Sequence, residues 1–282
     1  GVKTVGDYAF AGLTNLASAD CASSVLESLG NGAFSGCVKL AALTGFDSVK
    51  IILAECFKGC KAMTASPIPA GCTSIGALAF SGTRIENLAL PAGVGYLGAG
   101  AFKNCLDLET VTLPTRLAKV SSEAFAGCTA LKNVAIGSDA DTSYTTGSAV
   151  IEPNAFSGCT SLGNVSIYNR AENLIIDKNA FFGCTALKSM MIDCRRLTLN
   201  DNALPAGANM NYVHISGSYG SFAPRAFEGV TAPVIYPLNS SGWDESVRLN
   251  YGGSLSWEGE ENHTHDFKIT VTKPTCSENG YT

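Results

Sequence analysis

The chain has 282 residues, a formal net charge of -5, 15% charged residues and 46% hydrophobic ones. That balance is too apolar for a disordered chain, and its mild acidity without any Lys/Arg block argues against nucleic acid as a partner. No apolar run approaches the roughly 18 residues of a membrane-crossing helix, Gly1-Val2-Lys3-Thr4 opens no leader peptide, and three His leave little material for His-based catalysis.

The phrase Ala-Phe-x-Gly-Cys returns along the chain. It reads Ala33-Phe34-Ser35-Gly36-Cys37, Cys56-Phe57-Lys58-Gly59-Cys60, Ala79-Phe80-Ser81-Gly82-Thr83 and Ala101-Phe102-Lys103-Asn104-Cys105. Ala124-Phe125-Ala126-Gly127-Cys128, Ala155-Phe156-Ser157-Gly158-Cys159 and Ala180-Phe181-Phe182-Gly183-Cys184 follow, with weaker copies at Ala9-Phe10, Ala203-Leu204 and Ala226-Phe227. With Phe or Leu204 as the marker, the intervals are 24, 23, 23, 22, 23, 31, 25, 23 and 23 residues, so only the interval of 31 holds an insertion. Periods of about 20 to 30 residues belong to solenoids, in which each turn buries its apolar side against its neighbours.

Other positions keep the register. Five residues before each marker stands an apolar residue, from Val5 and Leu29 to Leu199 and Phe222. Six after most markers stands another, as at Leu40, Leu108, Leu131 and Leu162. Apolar positions nine and eleven after the marker complete a short strand, as in Val134-Ala135-Ile136, which Pro often ends (Pro69, Pro91, Pro114). The repeat thus predicts one short strand, a turn and a compact return segment. Ten strands stacked in parallel at about 4.8 Å give a rod roughly 45 Å long, with the Phe inside. Ala before the marker and Gly after it read as small because neighbouring turns pack closely there.

Leu108-Glu109-Thr110-Val111-Thr112-Leu113-Pro114 and Ile75-Gly76-Ala77-Leu78-Ala79-Phe80-Ser81-Gly82 resemble the BspA-like leucine-rich repeat family, also called the Treponema pallidum type. The resemblance covers residues 1–237. It implies an α/β-type repeat solenoid with little helix: a curved, right-handed leucine-rich-repeat array of about ten repeats of about 23 residues, one short parallel strand in each. Residues 238–258, with Trp243 and Trp257, look like a segment that caps the open end; an aromatic platform for a sugar is the other reading. Residues 259–282 look like a linker and the truncated start of a small Cys/His surface module. The chain begins inside a repeat, so it reads as a piece of a longer surface protein.

Eleven Cys are present, and six of them occupy the slot three residues after the marker: Cys37, Cys60, Cys105, Cys128, Cys159 and Cys184. Adjacent rungs place such residues about 5 Å apart, so Cys37–Cys60, Cys105–Cys128 and Cys159–Cys184 disulfides are sterically conceivable. Thr83 and Val230 take the same slot, which favours a ladder of free thiols packed as small hydrophobes. Cys21, Cys56, Cys72 and Cys194 read as packing residues too. No cofactor and no metal site are expected. Cys56 and Cys60 fall on repeat positions, and His263, His265 and Cys276 lack the remaining ligands of a zinc module.

Outward strand positions, eight and ten after the marker, line the expected concave face. They include Asn133 and Ala135, Asn164 and Ser166, Ser189 and Met191, and Tyr212 and His214. Most are small and uncharged; only Met191, Tyr212 and His214 enrich the face with the larger groups that anchor interfaces. His214 should point outward between Val213 and Ile215. A plain solvated face is the alternative. The insertion 137–147, with Asp139, Asp141 and Tyr144, is a second candidate surface, or a plain loop.

The resemblance implies a non-enzymatic domain on the surface of a bacterium, monomeric, that binds a protein ligand such as host matrix or another bacterial surface protein. Rival readings are a carbohydrate-binding module, for which Tyr212, Tyr219 and Tyr236 would have to form an exposed row, and a spacer in a larger surface protein. A β-helix lyase would need clustered Asp and a basic residue on adjacent rungs, and no such cluster is visible in the sequence.

Overall fold

The computed structural model describes residues 2–21, 26–138, 145–169 and 171–261. The strands in chain order are β1 (Thr4–Val5), β2 (Ser18–Asp20), β3 (Ser28–Leu29), β4 (Ala42–Thr44), β5 (Ile51–Ile52), β6 (Ser74–Ile75), β7 (Asn87–Ala89), β8 (Tyr96–Leu97), β9 (Thr110–Leu113) and β10 (Lys119–Val120). They continue with β11 (Asn133–Ile136), β12 (Thr145–Ile151), β13 (Asn164–Tyr168), β14 (Ala171–Ile176), β15 (Ser189–Asp193), β16 (Arg196–Leu199), β17 (Tyr212–Ile215), β18 (Ser218–Phe222), β19 (Thr231–Pro237) and β20 (Ser254–Glu260). Strands pair in parallel with their counterparts one turn away, as a solenoid requires. The described residues contain no helix.

Where one strand per repeat is expected, most turns carry two. The long sheet runs β7-β9-β11-β13-β15-β17-β19-β20, and a separate β2-β4 pair precedes it. The third turn interrupts the two: there Pro67 stands at a strand position and removes a ladder donor, with Pro69 just past the strand end. A second face carries β1-β3-β5-β6-β8 and β10-β12-β14-β16-β18. It arises where the apolar residue five before the marker and its predecessor bridge the next turn, as Ile51 with Ser74 and Ile52 with Ile75.

Alternation sets what is buried. In β9, Val111 and Leu113 are buried while Thr112 is exposed. Phe34, Phe57, Phe80, Phe102, Phe125, Phe156 and Phe181 are essentially inaccessible. Consecutive rings along this column stack nearly parallel, with centroids 5.2 to 5.5 Å apart. This spacing lies within the range favoured by offset aromatic pairs.

The Phe turn stays out of a helix because two of its positions are left-handed. Two residues before the marker, φ is positive in Tyr8, Glu55, Leu78, Glu123, Asn154, Asn179 and Asn202. Two residues after it, φ is positive in Gly36, Gly59, Gly82 and, without glycine, Asn104. A bulky residue pays about 1–2 kcal/mol for that conformation. The compensation is a bond to the next turn: the Leu78 N–H donates to Ala99 O at 2.9 Å, and the Phe80 N–H to Ala101 O at 2.8 Å.

These angles correct the reason given for the glycine after the Phe. A Cβ on Gly36 or Gly82 would meet its nearest neighbour at 3.7 or 3.9 Å, an ordinary contact, so conformation and not crowding selects it. Crowding applies four residues before the marker, where a Cβ on Gly76 would lie 2.4 Å from Ala54 N.

The described cysteines are free thiols. Cys60, Cys105, Cys128, Cys159 and Cys184 each donate to the carbonyl oxygen of the Phe marker one turn back, at 3.2 Å. Burial, and then the neighbouring Cys37, push the Cys60 thiol up to about 12. A bond to Cys128 and then burial hold Cys105 well above the usual thiol range.

At the C-terminal end, β20 pairs with β19 at seven positions, Thr231 with Ser254 through Pro237 with Glu260. It therefore runs across residue 258, where a boundary is expected from the sequence. Trp243 is only 7% exposed and donates from Nε1 to Gly217 O at 2.8 Å. Around it gather Tyr219, Phe222, Tyr236 and Trp257.

Candidate functional site

The outer face of the long sheet is built by register. Parallel pairing aligns Asn87, Thr110, Asn133, Asn164, Ser189 and Tyr212 in one row. It aligns Ala89, Thr112, Ala135, Ser166, Met191 and His214 in the next. Both rows face away from the core because Val111, Val134, Val165, Met190 and Val213 between them are buried.

The first row is internally bonded. Thr110 Oγ1 donates to Asn87 Oδ1 at 2.6 Å, Asn164 Nδ2 to Asn133 Oδ1 at 3.0 Å, and Ser189 Oγ to Asn164 Oδ1 at 2.6 Å. Each donor spans one turn, so the side chains are held in place before any ligand arrives. Neither row carries a carboxylate, ammonium or guanidinium through these six turns. The nearest pair, Lys132 with Glu109 at 2.7 Å, lies beside the strands and is about half exposed on both sides. Such a pair contributes about 0–1 kcal/mol.

The face becomes more covered toward its C-terminal end. Asn133 and Asn164 are exposed, Ser189, Met191 and Tyr212 are half-buried, and His214 is buried. His214 stands on the outward row, as its parity predicts, yet it is not open to solvent. Its Nε2 lies 3.0 Å from Glu260 Oε2 on β20, two strands away. Spacing alone does not point to this pair, because its members are 46 residues apart and the second falls beyond the repeat. The Tyr168 hydroxyl lies 4.0 Å from Met191 Sδ, a weak contact.

Of the other candidates, Asp139, Asp141 and Tyr144 lie outside the described residues. The end of the insertion is described: Thr145 opens β12 and aligns with Ala171 of β14, on the second face. Tyr212, Tyr219 and Tyr236 do not form the row that a sugar platform would need. Tyr212 is on the long sheet, Tyr219 is on β18 of the other face, and Tyr236 is buried at 5% exposure. Among the described residues, no group of three or more His, Cys, Asp or Glu is placed to hold a metal, and no helix is long and apolar enough to cross a membrane.

A family model described as the BspA type leucine rich repeat region matches in six copies, over residues 1–109, 50–146 and 141–233. The chain belongs to the BspA-type leucine-rich repeat family. Among solved structures, the pneumococcal vaccine antigen PcpA is similar, with 19% identity over 93% of this chain and 71% of that one, at a TM-score of 0.52. This likeness shows the fold. The Treponema pallidum leucine-rich repeat protein TpLRR is 26% identical over 66% of this chain and 72% of its own, at a TM-score of 0.46. A leucine rich cell surface protein of Faecalibacterium prausnitzii is 18% identical over 87% and 84%, at a TM-score of 0.37. No curated protein matches the chain.

Proposed function

We propose that this BspA-type domain is a non-enzymatic, bacterial cell-surface module that binds a protein ligand along the outer face of its long sheet. The observation that carries this reading is the uncharged row whose side chains bond across turns as Asn87–Thr110 and Asn133–Asn164–Ser189, with Met191 and Tyr212 at its end. A preorganised surface loses little side-chain entropy on binding. Small uncharged groups allow a partner's backbone and side chains to lie flat on the sheet, and Tyr212 and Met191 supply the larger contact area that dominates interface energetics. Contacts this small are individually weak, so a rigid extended scaffold suits binding through many of them, strengthened by multivalency on a cell surface. The spacer reading needs no such organised face. The sugar reading lacks its aromatic row.

The test is a screen of the chain against immobilised extracellular-matrix proteins and a glycan array at physiological salt. Saturable binding to a protein, weakened by Tyr212→Ala, is the expected result. Binding to glycans alone overturns the reading in favour of a sugar module.

A further inference from the structure

The long sheet ends at β20, and among the described residues no strand pairs with its outer side. The Ser254 N–H donates to Val230 O at 2.7 Å, and Glu260 O accepts from the Leu238 N–H at 2.9 Å. Even-numbered residues of β20 therefore bond inward to β19. The backbone groups of Leu255, Trp257 and Gly259 face the open side, where the Leu255 N–H meets Asn250 Oδ1 at 3.2 Å. Among the described residues, the parallel strand β20 has no strand on its outer side beyond the Asn250 contact, and its outward backbone from Trp257 on is a template for one more strand.

Side chains on that edge specify what fits. Leu255 and Trp257 point toward the core but are only half-buried, so they leave apolar surface at the end of the stack. Ser254, Ser256, Glu258 and Glu260 point the other way, with Glu261 next in sequence. From residue 244 to 261 the chain holds five acidic residues (Asp244, Glu245, Glu258, Glu260, Glu261) against one basic residue, Arg248. Like charges placed directly opposite on paired strands destabilise the pair, so this edge disfavours a second copy of itself and favours a basic strand.

We propose that the open edge of β20 docks an extended peptide of alternating basic and apolar residues, which adds a strand to the sheet. Its apolar residues cover Leu255 and Trp257, a basic residue faces Glu258, and its backbone bonds to the outward groups of Trp257 and Gly259, while Glu260 stays with His214. This edge adjoins the C-terminal end of the outer sheet face, where Glu258 aligns with Ile235 and His214, but the proposal does not require a ligand on the rows from Asn87 to Tyr212.

The experiment uses the full chain and a labelled, end-capped heptapeptide of alternating Lys and Val, followed by fluorescence anisotropy at low and physiological salt. Saturable binding is expected, with one peptide per chain. Methylating the backbone nitrogens on the docking side of the peptide removes its donors to the edge, so affinity should fall about tenfold or more. Replacing every Lys of the peptide by Glu, or making the Glu258→Lys variant, should weaken it also. Absent binding overturns the proposal. So does binding unaffected by backbone methylation, which is diffuse electrostatic adsorption, and so does a concentration-dependent dimer that excludes the peptide, which assigns the edge to a second copy.

Discussion

The thiol of Cys128 donates to the carbonyl oxygen of Phe102, one turn back along the solenoid, at 3.2 Å. That carbonyl also accepts the backbone N–H of Cys105 in its own turn, at 3.3 Å. The cysteine slot is thus a weak donor that fills a small apolar space and reaches one turn. Thr83, in the same slot, turns its hydroxyl to Phe80 of its own turn at 2.9 Å. The ladder tolerates this change because the carbonyls keep their backbone donors.

Buried thiols high above their usual range are poor nucleophiles. Native protein treated with iodoacetamide near neutral pH should leave Cys60, Cys105, Cys128 and Cys159 unmodified by peptide mass spectrometry. All four should react fully in denaturant. Rapid modification of the native protein at these positions contradicts the packing described.

The same thiols set an alkaline limit. An unfolded thiol titrates near about 8.5, whereas folded Cys60 is pushed up to about 12. Between those values the unfolded chain has lost a proton that the native chain keeps, so stability falls as pH rises. In that window Cys60 removes about 1.4 kcal/mol per pH unit, and nothing below it. Urea midpoints measured at pH 7.5, 9 and 10 should decline with a slope that Cys60→Ala reduces by one proton's worth.

The stacked Phe column should be the costliest place to cut. Phe125 is fully buried and stacks on Phe102 and Phe156 at 5.5 and 5.2 Å. Phe125→Ala should cost about 3–5 kcal/mol by denaturant unfolding. Phe125→Leu should cost less, since Leu204 fills the marker slot of its own turn with full burial.

Two glycines separate conformation from crowding. Gly82→Ala keeps clear space but forces a residue with φ +72, for about 1–2 kcal/mol. Gly76→Ala puts a methyl 2.4 Å from backbone and should cost more, or shift the neighbouring turn. Asn104→Gly, at a left-handed position already held by Asn, should be nearly neutral. Equal losses at Gly82 and Gly76 contradict this division.

The repeat register was legible because a solenoid is one-dimensional: every turn repeats the same burial problem, so Phe, Leu and Cys columns follow from spacing alone. The second face was not legible. A strand as short as Tyr96–Leu97 cannot show a period of two. For β20 the signal is present, as Ser254-Leu255-Ser256-Trp257 alternates, but it lies beyond the repeat register, in the segment that reads as a cap. At the candidate face, parity placed Asn133, Asn164, Met191, Tyr212 and His214 on the outward rows. Exposure did not follow from parity, because the cover over His214 comes from Glu260, outside the repeat.

The most direct test of the sheet-face account is a paired binding measurement on a protein ligand found in the matrix screen. Asn164→Arg with Ser189→Arg introduces two bulky charges into the middle of the bonded row, whereas Lys178→Glu changes a charge on the opposite side of the turn. The account predicts that the double variant, folded by circular dichroism and thermal unfolding, loses affinity by about tenfold or more while Lys178→Glu binds as the parent does. Undiminished binding by the folded double variant contradicts it.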